Sequence, residues 1–385
     1  MGRNQEAVSL RITRLALQDF RNHKETVLEL DGRHVCLFGA NGAGKTNLLE
    51  AVSMLGPGKG LRAAALPALV RMNGDDKASG WALSANVDDD GLNRRIQIGL
   101  ENTPDGRSKR VAKLDDAPVS QTELAELLRI VWLTPSMDRV FAGPAGDRRK
   151  FFDRQVLAHA PPHGRAASNY EKAMRERNAL LEQPNAASAW FAGLEARLAE
   201  NGAVMAYNRA RALRRLQAAI DARPDGYFPK ADLALDGPFE RMAQEGASLA
   251  EIQQAMAEGL ADGRARDRAA GRTLTGPHRT DLLVMHRPKK LAAAQCSTGE
   301  QKALLIGLIL ANAKALLEGD FAPNPLLLLD EAAAHLDSDR RAALYDELAA
   351  LGGQAWLTGT DAALFDAFDD RTQRFEIVEG SARSV

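Results

Sequence analysis

Residues 39–46 read Gly39-Ala40-Asn41-Gly42-Ala43-Gly44-Lys45-Thr46, a complete G-x-x-x-x-G-K-[ST] motif between the apolar run HVCLFG and a helical stretch. Glycines at these spacings let the backbone curl until successive N–H groups converge on an anion, and the helix that follows adds its positive end. The chemistry is phosphate binding. Lys45 is placed to reach the β- and γ-phosphates of ATP, and the Thr46 hydroxyl to ligate Mg2+. A second segment, Pro325-Leu326-Leu327-Leu328-Leu329-Asp330-Glu331, offers four apolar residues of a buried strand ending in two acids. Successive side chains on a strand diverge, so the acids can take different work. Asp330 would hold Mg2+ through water, and Glu331 would polarise the water for an in-line displacement. Lys45 and Glu331 are therefore the expected catalytic pair, Thr46 and Asp330 the expected metal set.

A third segment, Cys296-Ser297-Thr298-Gly299-Glu300-Gln301-Lys302, opens a helix 33 residues before Asp330. Ser297 sits where a capping hydroxyl and free N–H groups form an anion site, with Gly299 beside it. A plain helix cap is the competing explanation, and taken alone the segment favours it.

The elements that must carry these residues are legible in the periodicity. Residues 10–39 alternate as strands, Lys45 to Leu55 is helical, and residues 79–114 hold three alternating stretches separated by turns, an antiparallel meander. LRIVWL (128–133) reads as a buried strand. From Asp147 to about Asp262 the chain is rich in Ala, Arg, Glu and Leu at helical spacing. Tyr170, Met174, Arg177 and Leu181 form one run, Pro184 and Asn185 break it, and Trp190 to Ile220 is long enough for about nine turns. Beyond Arg279 come DLLVMH, a helix from about Gly299, PLLLLD, a helix from about Ser338, QAWLT and RFEIVEG. The division expected is 1–146 and 281–385 for a nucleotide-binding head, with 147–280 inserted as a helical lobe.

The chain has 385 residues, 45% hydrophobic and 26% charged, which suits two or three packed domains and excludes a disordered polymer. With 50 basic and 51 acidic residues the net charge is −1, so any binding to nucleic acid must use local patches. Candidates are Arg148, Arg149, Lys150 and Arg154, and on the long helix Arg209, Arg211, Arg214 and Arg215. Two cysteines make no disulfide framework, the first residues lack a signal-peptide apolar run, and no stretch reaches a membrane span. A cytoplasmic protein without a membrane partner is expected. With 20 aromatic residues, duplex backbone recognition is favoured over stacking on single strands.

Phosphate loop, S-x-G at a helix start, Asp-Glu strand, then Ala334-His335-Leu336-Asp337 is an order that resembles the heads of ABC-type ATPases. That resemblance adds Asp337 to the nucleotide set and implies a dimer in which Ser297 and Gly299 of one head close over ATP held by the other. The position where transporters carry a switch histidine falls at Thr360. Gly39 and Ser297 are 258 residues apart, too far for a transporter subunit and too near for an SMC-type coiled coil.

Further blocks resemble the RecF family: Leu17-Gln18-Asp19-Phe20-Arg21-Asn22, the phosphate loop with Asn47-Leu48-Leu49-Glu50-Ala51, Arg148-Arg149-Lys150-Phe151-Phe152-Asp153, Arg175 to Leu181, and Gly276-Pro277-His278-Arg279. The resemblance implies an α/β fold, an ABC-type P-loop NTPase head with an inserted, mostly helical second lobe bearing a short antiparallel helical arm. It brings Asn47, Arg21 and Arg62 into the nucleotide set. It also implies ATP-dependent dimerisation, slow hydrolysis used as a DNA-binding switch, binding to duplex DNA and gap junctions, and work with RecR and RecO to load RecA. The alternative is an ATPase subunit of another ABC-type system such as a transporter. Ser136 and Thr280 stand where the family often has acids, and no transporter-type glutamine is apparent near Thr134.

Overall fold

The computed structural model describes residues 10–385 except 74, 75, 90, 104, 105, 107, 184–186, 318–324 and 335, so the expected Pro184-Asn185 break and His335 lie outside the described residues. The chain divides into two compact units. One comprises Met1–Met137, Gly226–Phe228 and Leu305–Val385, the other Asp138–Asp225 and Pro229–Leu304.

In the first unit an antiparallel sheet runs in the order His23–Glu29, Leu10–Phe20, Ala82–Asp89, Leu92–Asn102, Ser108–Leu114, Ala117–Pro118. The meander expected over residues 79–114 is its centre, with Leu83, Ala85 and Val87 buried at alternate positions. A second sheet is ordered Ile130–Leu133, Leu326–Leu329, Ala355–Gly359, His34–Phe38, Thr372–Val378, Ser381–Ser384. Its first five strands are parallel. Central parallel strands are covered on both faces, which is why Leu326 to Leu329 are apolar without alternation. The helix Lys45–Leu55 puts Leu48, Leu49, Val52 and Leu55 into one core with Leu15, Ile96 and Ile98 of the first sheet and Leu37, Leu328 and Trp356 of the second. Gln354, 1% exposed, ties the sheets: it accepts from the Ile12 N–H (3.0 Å) and donates to the Ile12 and Arg33 carbonyls (both 3.1 Å).

His34, at the start of the strand before the phosphate loop, accepts the Ala355 N–H on Nδ1 (3.0 Å) and stacks on Phe368. Burial, with Arg371 and Arg11 nearby, lowers its pKa to about 4. Protonation would set N–H against N–H. The folded state thus holds His34 neutral while the unfolded chain takes up a proton near pH 6.5, so its contribution is whole above that pH and declines as pH falls toward 4. The expected loss is about 3 kcal/mol at most. Thermal melts from pH 7 to pH 4 should show a shallower decline for His34→Asn, whose amide oxygen can accept the same N–H and does not titrate.

In the second unit the helix Pro162–Leu181 runs antiparallel to the 35-residue helix Ser188–Ala222, since Tyr170 meets Gly202 while Arg177 meets Glu195. A Cβ at Gly202 would stand 2.4 Å from the Met256 sulfur and 3.0 Å from the Tyr170 ring, so a larger residue there would make the Met256 side chain of the covering helix Leu249–Asp262 shift. Ile252, Met256 and Leu260 of that helix share a core with Leu198, Ala199 and Ala203. Arg177 is fully buried, donating to Glu195 (3.1 Å), Asp267 (2.7 Å), Thr273 (2.9 Å) and the Leu260 carbonyl (2.9 Å). The helical arm is thus an antiparallel pair packed along its flank by its own unit.

The compact units part at 137/138 and within the helix Thr298–Leu317, whereas the sequence reading drew its lines at 146/147 and 280/281. Arg148 donates to the Phe141 and Gly143 carbonyls, and strand Asp281–His286 pairs with Ala231–Asp236, so both flanks belong to the helical unit. Two of the candidate DNA-contacting arginines are also corrected. Arg209 is 2% exposed and ion-paired to Asp153 and Glu240 (2.7 and 2.8 Å), and Arg148 forks onto Asp281 (2.8 and 2.7 Å). Helical periodicity cannot tell such groups from a solvated face.

Candidate nucleotide site

The loop 39–44 turns with positive φ at Gly39 (140°), Gly42 (82°) and Gly44 (119°). A Cβ at Gly39 would lie 2.4 Å from the Ile377 carbonyl, and one at Gly44 2.8–2.9 Å from Asn22 and His23, so neither admits a side chain. Lys45, 4% exposed, donates from Nζ to the Gly39 (2.6 Å) and Ala40 (2.8 Å) carbonyls. Burial lowers its pKa, and the nearby Glu331 and Asp330 carboxylates work against that. The Thr46 hydroxyl donates to Asp330 Oδ1 (2.9 Å). Strand register explains the meeting: Leu326–Leu329 is separated from His34–Phe38 only by Ala355–Gly359, so their carboxyl ends share one edge.

That middle strand supplies a residue the sequence reading missed. Thr358, 1% exposed, donates its hydroxyl to Asp330 Oδ1 (2.8 Å) and accepts the Glu331 N–H (2.9 Å). One hydroxyl therefore fixes the Asp330 carboxylate and the backbone of Glu331, which stands at φ 50°, a strained value for a glutamate. Thr360, expected at the switch position, is exposed just past the strand. Asp337 is exposed and caps the helix Ser338–Leu351 by accepting the Arg340 N–H (2.8 Å).

Arg21 and Arg62 meet on a second unforeseen group. Glu50, fully buried on the phosphate-loop helix, accepts both forks of Arg21 (2.9 and 2.8 Å) and Arg62 (3.2 Å), while Arg62 also donates to Asn47 (2.7 Å). Asn22 donates to the Ala43 carbonyl (3.0 Å) and accepts from Asn47 (2.7 Å). His23, fully buried, lies 3.2 Å from the Gly44 carbonyl and 2.7 Å from that of Gly380. An acid amid Leu49, Ala51 and Val52 was the available signal for Glu50. Glu50→Ala is expected to cost ~3 kcal/mol, because a fully buried carboxylate is removed from two guanidinium groups. Urea titration should show a lower midpoint with an unchanged slope.

Ser297 and Gly299 lie in the other compact unit. Ser297 is exposed and forms a reciprocal cap with Glu300: its N–H donates to the Glu300 carboxylate (3.0 Å) and its hydroxyl oxygen accepts the Glu300 N–H (3.4 Å). The Ser297 hydroxyl proton remains to donate. A Cβ at Gly299 would meet nothing within 4 Å. Lys289 pairs with Glu300 and, with Ser297, lowers its pKa to about 2.

A phosphate loop and an Asp-Glu pair on the carboxyl edge of a parallel sheet, flanked by an antiparallel sheet, define an ABC-type nucleotide-binding head. The family model for the RecF/RecN/SMC N terminal domain matches residues 11–374. A DNA replication and repair protein RecF of Caulobacter vibrioides is 52% identical, over 93% of this chain and 94% of its own, and one of Rhizobium meliloti 48% identical, over 96% and 97%. A solved structure of the recombination mediator protein RecF with ATP in the RecFOR pathway shares the fold, at TM-score 0.82 and 22% identity, covering both chains completely. An SMC head bound to the C-terminal winged-helix domain of ScpA aligns more loosely, at TM-score 0.51 and 17% identity over 97% of each chain. The chain belongs to the RecF family. Among the described residues no helix is long and apolar enough to cross a membrane.

Proposed function

We propose that the chain is a recombination mediator of gap repair and replication-fork maintenance that uses ATP as its switch. The observation that carries this reading is the Asp330 carboxylate, bonded to Thr46 of the phosphate loop and to Thr358, with Lys45 close by. ATP lies in the cradle Gly39 to Asn47, with Arg21 and Arg62 held beside it by Glu50. Thr46 and Asp330 fit Mg2+: two hard oxygens 2.9 Å apart leave its other positions to water and phosphate, as that ion prefers. Lys45 opposes the charge that develops on the transferred phosphoryl group, and Glu331 takes the proton of the attacking water. Thr358 and Thr360 cannot gain charge as histidine does, which suits slow hydrolysis that resets a switch.

Ser297 and Gly299 act in trans on the γ-phosphate of a second copy, with Asp337 at the same junction. The homodimer so formed binds duplex DNA and gap junctions in the cytoplasm and works with RecR and RecO. The relatives named above support this reading, and none of them supports the transporter alternative. The test is binding to gapped duplex with ATP, with ADP and with no nucleotide. Binding strongest with ATP is expected, and equal binding in all three overturns the switch.

A further inference from the structure

The turn Gly276–Thr280 is fixed from the interior of the helical unit at nearly every residue. Gly276 takes φ 138°, and a Cβ there would stand 2.1 Å from the Tyr170 hydroxyl. Arg209 donates to the Pro277 carbonyl (2.7 Å), Arg149 to that of Thr280 (2.8 Å), and the Thr280 hydroxyl to Glu240 (2.8 Å). Both nitrogens of His278 are engaged, Nδ1 with the Tyr170 hydroxyl (2.8 Å) and Nε2 with the Thr273 carbonyl (3.0 Å). Apolar packing is often as stabilising as a buried ion network, so stability alone does not account for this one, and its effect here is to fix the geometry of the turn. Strained backbone locked in this way clusters at functional positions.

The side chain this turn presents to solvent is Arg279. It is exposed, and while the Arg279 N–H donates to the Gly276 carbonyl (3.0 Å), its guanidinium has no hydrogen-bond or ion-pair partner among the described residues. The carboxylates around the turn are already committed, Asp153 and Glu240 to Arg209 and Asp281 to Arg148. Arg279 carries a charge that no carboxylate pairs with, and Arg149, which donates to the Thr280 carbonyl, is near enough for the two to interact. We infer that Arg279, supported by Arg149, is a contact for the phosphodiester backbone of DNA, since a guanidinium fork matches phosphate oxygens and carries no sequence preference of its own. The inference rests on the DNA-binding reading above.

The test measures duplex binding by fluorescence anisotropy with ATP present, between 50 and 200 mM salt, for the unmodified chain, Arg279→Ala and Arg279→Lys. Arg279→Ala is expected to weaken binding roughly tenfold at the lower salt and to reduce the slope of log affinity against log salt by about one, equally for unrelated sequences. Arg279→Lys should keep most of the slope. ATP binding and melting temperature should not move, because the side chain supports nothing in the fold. If the unmodified chain binds DNA and Arg279→Ala matches it in affinity and slope, the assignment is wrong while the DNA-binding reading stands. If the unmodified chain does not bind, both fall. Weaker binding with an unchanged slope and a lost ATP-dependent dimer would place Arg279 against protein and overturn the assignment.

Discussion

Lys45→Met should lose ATP-dependent dimerisation, DNA retention and hydrolysis together. The Lys45 side chain is largely buried and its ammonium group is held by the Gly39 and Ala40 carbonyls, with Glu331 and Asp330 close enough to bear on its charge. Methionine keeps the stem and removes the only cation the loop itself supplies, leaving a triphosphate beside two carboxylates. Charge-assisted hydrogen bonds of this kind contribute about 3 kcal/mol, so ATP affinity should fall a hundredfold or more by calorimetry. The fold should survive, because the helix behind the loop is anchored by Leu48, Leu49 and Val52. A variant that binds and hydrolyses ATP like the parent would show that the loop is not the phosphate site.

What the sequence disclosed and what it withheld divide along a physical line. The phosphate loop was legible because its requirement is local: three glycines at positive φ and a lysine at the helix start must be neighbours in the chain. The Asp-Glu strand was legible because a doubly covered parallel strand reads as an unbroken apolar run. Thr358 was not, since a threonine in QAWLT is an ordinary strand residue until the pairing of Leu329 with Leu357 sets it beside Asp330. Two arginines of the helical unit, Arg148 and Arg209, failed as surface candidates for the same reason. Arg209 finds Asp153 and Glu240 at separations of 56 and 31 residues, which no helical period reveals. Arg21 and Arg62 were picked out by resemblance, yet what orients them is Glu50, a charge on an otherwise apolar helix face.

Ser297→Arg tests the composite site, and the prediction is a chain that binds ATP and goes no further. The phosphate loop and the segment at Ser297 belong to different compact units, so a change at one leaves the loop contacts of Lys45 and Thr46 in place. The folding cost is small. Ser297 is exposed, and losing its cap on the Glu300 N–H costs about 1 kcal/mol against a helix otherwise anchored by Leu304, Leu305 and Ile306. An arginine at that position, however, fills the space where a γ-phosphate from another copy would meet the serine hydroxyl and the helix N–H groups. Dimerisation and hydrolysis should both be absent by sedimentation and phosphate release. Mixing equal amounts with Lys45→Met should then restore part of the hydrolysis, because one of the two sites in a mixed dimer joins an intact loop to an intact serine. With random pairing in a two-fold dimer that is roughly a quarter of the parent's sites, provided a single site can act alone. Recovery near that fraction would support action in trans. A Ser297→Arg chain that still dimerises with ATP and hydrolyses at the parent rate would remove the composite site from the mechanism.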